Sequence, residues 1–66
     1  MKKTEWNWCV WFRTGSKWLS LPFTARMTRA ESIREWARCY DRYEWEEQRR
    51  AGDVRCIRTL FTAEVP

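Results

Sequence analysis

Few residues in this chain could do chemistry. Cys9, Cys39 and Cys56 are its only thiols, and it contains no histidine. The three lie far apart with no CxxC pair. An odd set cannot close a disulfide framework, and it falls short of the four Cys/His ligands of a structural zinc site. A thiol nucleophile also needs a base, and without imidazole there is no triad to supply one. Carboxylates are more plentiful. Glu31 and Glu35, and Asp41 and Glu44, stand as helical neighbours, but each has arginines within three or four positions. Solvated ion pairing is their expected role. Gly15 and Gly52 are the only glycines, too few for a phosphate-cradling loop. The residue types therefore point away from catalysis, from a metal and from any cofactor, and toward a protein that works by binding.

Such residues need a fold to hold them, and 66 residues are enough for a single domain, here taken as 1–66. A chain of this length buries only about 60% of its unfolded surface, so its core needs reinforcement. Six Trp, three Phe and two Tyr are the evident source, since each buried aromatic removes roughly 150–250 Å² from water. The three cysteines are expected to join that core as small hydrophobes. Unpaired thiols suggest a reducing compartment, a cytoplasm. Lys2 and Lys3 could open a charged leader, but Glu5, Asn7 and Arg13 interrupt the apolar run a signal peptide requires. No stretch approaches the ~18 apolar residues of a membrane span, so no membrane partner is expected.

Periodicity gives the elements. Glu5 to Arg13 alternates, with Trp6, Trp8, Val10 and Phe12 on one side and Cys9 and Trp11 on the other. Period two with aromatic and β-branched residues predicts a strand. Thr14-Gly15-Ser16 is a turn, and Lys17 to Thr24 alternates again, which makes 5–24 a hairpin. Pro22 cannot donate to a ladder and marks an edge or a strand end. Thr28-Arg29-Ala30-Glu31 matches a capping box. It opens a helix predicted to span 28–51 and to end at Gly52. On that helix Ile33, Trp36, Ala37, Tyr40 and Tyr43 share one face, so its last turns should project past the sheet. A third strand fits 53–63. The expected fold is α+β with the order β-β-α-β, one long helix packed on one face of a three-stranded antiparallel sheet.

Two surfaces exceed what solvation alone requires. On a continuous helix, Arg34, Arg38, Arg42 and Arg49 fall within about 80° of one another with Trp45 among them, opposite the core face. An exposed indole among arginines has the composition of a protein-binding hot spot; the plainer alternative is local cation–π capping by Arg42 and Arg49. The second surface is basic and aromatic: Lys2, Lys3, Trp11, Arg13, Lys17, Trp18, Arg55 and Arg58. Residues 1–25 carry four basic groups against Glu5, a net +3 of the chain's +4. This set could serve nucleic acid, tracking phosphates and stacking bases, or a second protein interface. An open sheet face could also close a homodimer. Against nucleic acid, +4 is modest, and residues 26–50 hold six acids against seven arginines, a poor reading helix. The same charge balance excludes mimicry of DNA by an acidic surface.

In size and general character the whole chain resembles the small proteins that phages use against bacterial defences, anti-CRISPR proteins among them. The resemblance rests on no motif and carries over no functional residue. It implies an inhibitor whose partner is a host protein or nucleoprotein complex, such as a nuclease or CRISPR effector.

Overall fold

The computed structural model describes residues 2–64. Strand β1 (Lys2–Thr14) turns into β2 (Lys17–Ser20), then come helices α1 (Arg29–Cys39) and α2 (Trp45–Arg50), and β3 (Val54–Glu64) closes the sheet. The sheet is antiparallel in the order β2-β1-β3. The α+β class and the three-stranded sheet agree with the sequence pattern. The single helix over 28–51 does not: it is two helices joined by a turn. No described helix is long and apolar enough to cross a membrane.

Local chemistry explains each boundary. Thr14 pairs with Lys17, leaving Gly15-Ser16 as a two-residue loop. Gly15 has φ 62°, the left-handed value such a hairpin turn asks of its first residue. At Thr28 the hydroxyl accepts from the Glu31 amide at 3.2 Å and lies 2.8 Å from the Glu31 carboxylate, so the capping position is as the motif predicts. Beyond α2, Gly52 at φ 79° completes a Schellman closure: its amide donates to Arg49 O and the Asp53 amide to Gln48 O, both at 3.0 Å.

The register sets the two faces. Val10 opposes Cys56 and Phe12 opposes Val54; Val10, Cys56 and Val54 with Trp36 form the buried core, ringed by partly buried Trp8, Phe12, Leu21, Ile33 and Trp45. The helices therefore cover the even-numbered face of β1. They cover only part of it. Trp6, assigned to the same face, is 56% exposed, and its cross-strand partner Leu60 is 48% exposed, because the β1/β3 ribbon runs on past α1.

Pro22–Thr24 forms a single 3₁₀ turn that ends the hairpin early. Thr24, fully buried, stitches that turn to β1: its hydroxyl accepts from the Val10 amide at 2.8 Å and donates to Leu21 O at 2.6 Å. Thr24→Val keeps the shape and strands the Val10 donor. It should cost about 1–3 kcal/mol in denaturant unfolding, whereas Thr24→Ser, which keeps the hydroxyl, should lose only about 0.8 kcal/mol for the methyl.

The three thiols do not share one environment. Cys9 and Cys56 are buried as expected, but Cys39, in the last position of α1, is exposed. Burial pushes the Cys56 thiol above its ordinary value, partly offset by the Ser32 hydroxyl. Ser32 Oγ makes no hydrogen bond of normal geometry, so that contact with sulfur is weak. A raised thiol pKa favours the folded state below the unfolded value and loses that contribution as pH climbs through the folded one. A thiol titration of the native protein should register one rapidly reacting cysteine near neutral pH, Cys39, and the other two only on unfolding. Rapid reaction of all three would contradict the packing.

Candidate binding surfaces

A cleft of about 370 Å³ opens where the end of α1, the 40–44 turn, α2 and the paired ends of β1 and β3 meet. The buried side chains of Trp36 and Val54, with half-buried Phe12, form its floor. Tyr40 and Tyr43, 37% and 56% exposed, stand at its mouth. The turn between the helices positions both residues, since the Tyr43 amide donates to Tyr40 O at 3.1 Å, and the Tyr40 ring stacks on Trp36 at 5.5 Å between centroids. Arg13 and Asp53 supply charge of both signs at the rim, with Gln48 beside them. Their side chains pair at 3.3 Å while remaining about half exposed, an interaction worth about 0–1 kcal/mol and easily exchanged for a partner's charges. The cleft thus joins an apolar floor to a few convergent polar groups, the usual composition of a binding site.

The arginine-ringed tryptophan expected on the helix is not assembled. Trp45 packs on the core, its ring edge-on to Trp36 at 5.3 Å, and its indole N–H finds no acceptor among the described residues. The four arginines are divided between elements: Arg34 and Arg38 lie on α1, Arg42 in the turn and Arg49 on α2. Arg38 pairs with Glu35 at 3.1 Å and Arg49 with Glu46 at 2.8 Å. The Arg49 guanidinium holds the Glu46 carboxyl below the usual range. Arg42 follows Tyr40 in the turn, but the cleft is lined by the two tyrosines that flank it in sequence and by none of the four arginines.

The basic and aromatic set is split by the pleat. Lys3, Trp11, Arg13, Trp18 and Arg55 share the face away from the helices, whereas Lys2, Lys17 and Arg58 fall on the other. Within the shared group the residues engage one another. The Arg55 guanidinium lies 4.2 Å over the Trp18 ring, and Trp11 Nε1 donates to the Thr59 hydroxyl at 2.9 Å. With Arg13 paired to Asp53, Lys3 is the one cation of this face without an ion pair or ring contact among the described residues.

On one continuous helix, periodicity places Tyr40 and Tyr43 on the core side, which hides them as surface residues. Four of the five residues from Cys39 to Tyr43 (Cys39, Tyr40, Asp41 and Tyr43) are weak helix formers, the available signal for a break. The chain matches no known family model, no curated protein and no solved structure.

These placements separate two roles by stability. Trp45→Ala should destabilise the fold by roughly 2–4 kcal/mol, below the full cost of a buried tryptophan because the residue is only partly buried. Arg42→Glu should shift it by less than about 0.5 kcal/mol. Chemical denaturation of both variants checks this; a Trp45→Ala protein as stable as the parent would return the indole to the surface.

Proposed function

We propose that this chain is a non-catalytic binding protein that docks on a host protein or nucleoprotein complex and blocks it. The observation that carries this reading is the aromatic cleft. It is concave, it joins two exposed tyrosines to a tryptophan floor, and its rim bears one charge of each sign. Tyr, Trp and Arg are the residues that concentrate binding energy at protein interfaces. Tyrosines present large, stiff, amphipathic surface at low entropic cost. The occupant that suits it is an apolar or aromatic side chain projecting from the partner, with Arg13, Asp53 and Gln48 meeting polar groups around it. The resemblance to phage anti-defence proteins accords with an inhibitor of this kind and supplies the class of target, a CRISPR effector or a host nuclease.

The competing nucleic-acid reading depends on the opposite sheet face, where ring and cation are already paired with each other. The two readings separate in one experiment: capture from a bacterial lysate with the parent chain and with a Tyr40→Ala/Tyr43→Ala variant, each with and without nuclease. A stoichiometric protein retained after nuclease by the parent, and lost with the double variant, is the expected result. Recovery abolished by nuclease would move the function to nucleic acid. Undiminished recovery by the double variant would remove the cleft from it.

A further inference from the structure

The sheet ends on an unusually bare strand. β3 is eleven residues long and stands at the edge of the sheet, paired only with β1. Arg13 N donates to Asp53 O, while the Trp8 and Val10 backbone groups bond to Arg26, Leu21 and Thr24 on the other side. Odd-numbered residues of β1 thus direct their amides and carbonyls toward β3, and even-numbered ones away from it. Alternation along an antiparallel pair then sends the backbone groups of Arg55, Ile57, Thr59 and Phe61 inward to β1. Those of Val54, Cys56, Arg58, Leu60 and Thr62 point out of the sheet. Among the described residues no strand or backbone group bonds to this row, although Val54 and Cys56 are themselves buried against the helices. The β1–β3 register runs unbroken from Lys2↔Glu64 to Phe12↔Val54, with no bulge, and β3 contains no proline. Proteins usually guard such edges with bulges, prolines, lysines or a covering segment.

We propose that the edge of β3 pairs with the same edge of a second copy, antiparallel about a twofold axis at Thr59, to give a continuous six-stranded sheet. The sequence of the strand selects this register. With the axis at Thr59, all eleven residues are paired. Ile57 meets the second copy's Phe61 on the face away from the helices, and Leu60 meets the aliphatic stem of the second copy's Arg58 on the other. No two arginines stand directly opposite. Moving the axis to Arg58 would set that arginine against itself and shorten the ladder by two residues, and like charges directly opposed are destabilising. Moving it to Leu60 shortens the ladder equally and places Ile57 against Ala63 and Phe61 against Thr59, which separates the two large apolar pairs. The pairing covers apolar groups that are otherwise in water, Ile57 at 38% and Leu60 at 48% exposure. A second copy is favoured over a foreign strand because its edge matches in length and side-chain pattern by symmetry. The free edge of β1, residues 2–7, is shorter, and pairing it with β3 of another copy would propagate without closure, whereas the twofold arrangement is complete at two.

At the axis Thr59 faces its symmetry mate in a non-hydrogen-bonded pair, with Cα atoms about 4.5 Å apart, within disulfide reach. In a Cys39→Ser background, Thr59→Cys should form a covalent dimer on mild oxidation. Ala63→Cys should not, because its mate lies eight residues along, roughly 27 Å away at ~3.4 Å per residue. Without cysteine changes, sedimentation of the parent chain at micromolar concentration should give twice the monomer mass. Leu60→Pro, which removes an outward donor and leaves the β1 ladder intact, should give the monomer mass. If that variant fails to fold, Thr62→Pro removes the next outward donor, farther from the core. A monomeric parent, an open series of larger species, or a dimer that survives the proline substitution would each overturn the proposal, as would efficient cross-linking through Ala63→Cys.

Discussion

Everything in this fold leans on one side chain. Trp36 is 3% exposed and touches each layer at once: Val10, Val54 and Cys56 of the sheet beneath it, Tyr40 stacked on its face and Trp45 against its edge. A core cluster of four buried hydrophobics, Trp36 included, leaves no redundancy in a domain this small. The ring area of one indole replaces the disulfide or metal that a chain of this size often requires. The cleft follows from the same arrangement, because the tyrosine that stacks on Trp36 and the one that follows it in the turn are both left with one side in water.

The second constraint is a mismatch of lengths. β1 is 13 residues and β2 only four, and the helices cover about half of the longer strand's inner face. The 3₁₀ turn at Pro22–Thr24 and the bridge from Arg26 to Trp8 pull the chain off the sheet edge. The Thr24 hydroxyl satisfies the Val10 amide that β2 would otherwise have paired. The outcome is a ribbon carrying Trp6 and Leu60 beyond the core, and two sheet edges with free backbone groups. A single short crossing therefore decides both how the core is sealed and how much of the molecule is left to meet others.

What the sequence made legible was everything governed by local chemistry. The capping box at Thr28, the glycine turn at Gly15, the C-terminal closure at Gly52 and the alternation of β1 each rest on a few adjacent residues, and each is where the pattern put it. The face assignments of Trp8, Val10 and Phe12 followed from period two alone. Failures came where a tertiary contact competed with a local trend. Trp6 has the right parity for the core but lies beyond the reach of α1. Cys39 has the composition of a core residue but ends a helix on its outer side. Of the surface candidates, the pleat kept Lys3, Trp11, Arg13, Trp18 and Arg55 together, and the helix break dispersed the arginines around Trp45. Tyr40 and Tyr43, which form the mouth of the cleft, were hidden by the assumption of a continuous helix.

That break has a simple energetic basis. On an uninterrupted helix Trp45 follows Trp36 by nine residues, a rotation of roughly 180°, which would hold its indole in water. Ending α1 at Cys39 gives up a few backbone hydrogen bonds in a stretch where Cys39, Tyr40, Asp41 and Tyr43 are all weak helix formers. The turn recovers one of them through Tyr43 N to Tyr40 O. In exchange, the Trp45 ring leaves water for the edge of Trp36, a transfer worth about 1.5–3 kcal/mol for a large apolar side chain fully buried, and proportionally less at partial burial. A weak helical segment followed by a large aromatic at the wrong phase is thus better served by turning back than by continuing, and the turn that results is what shapes the cleft.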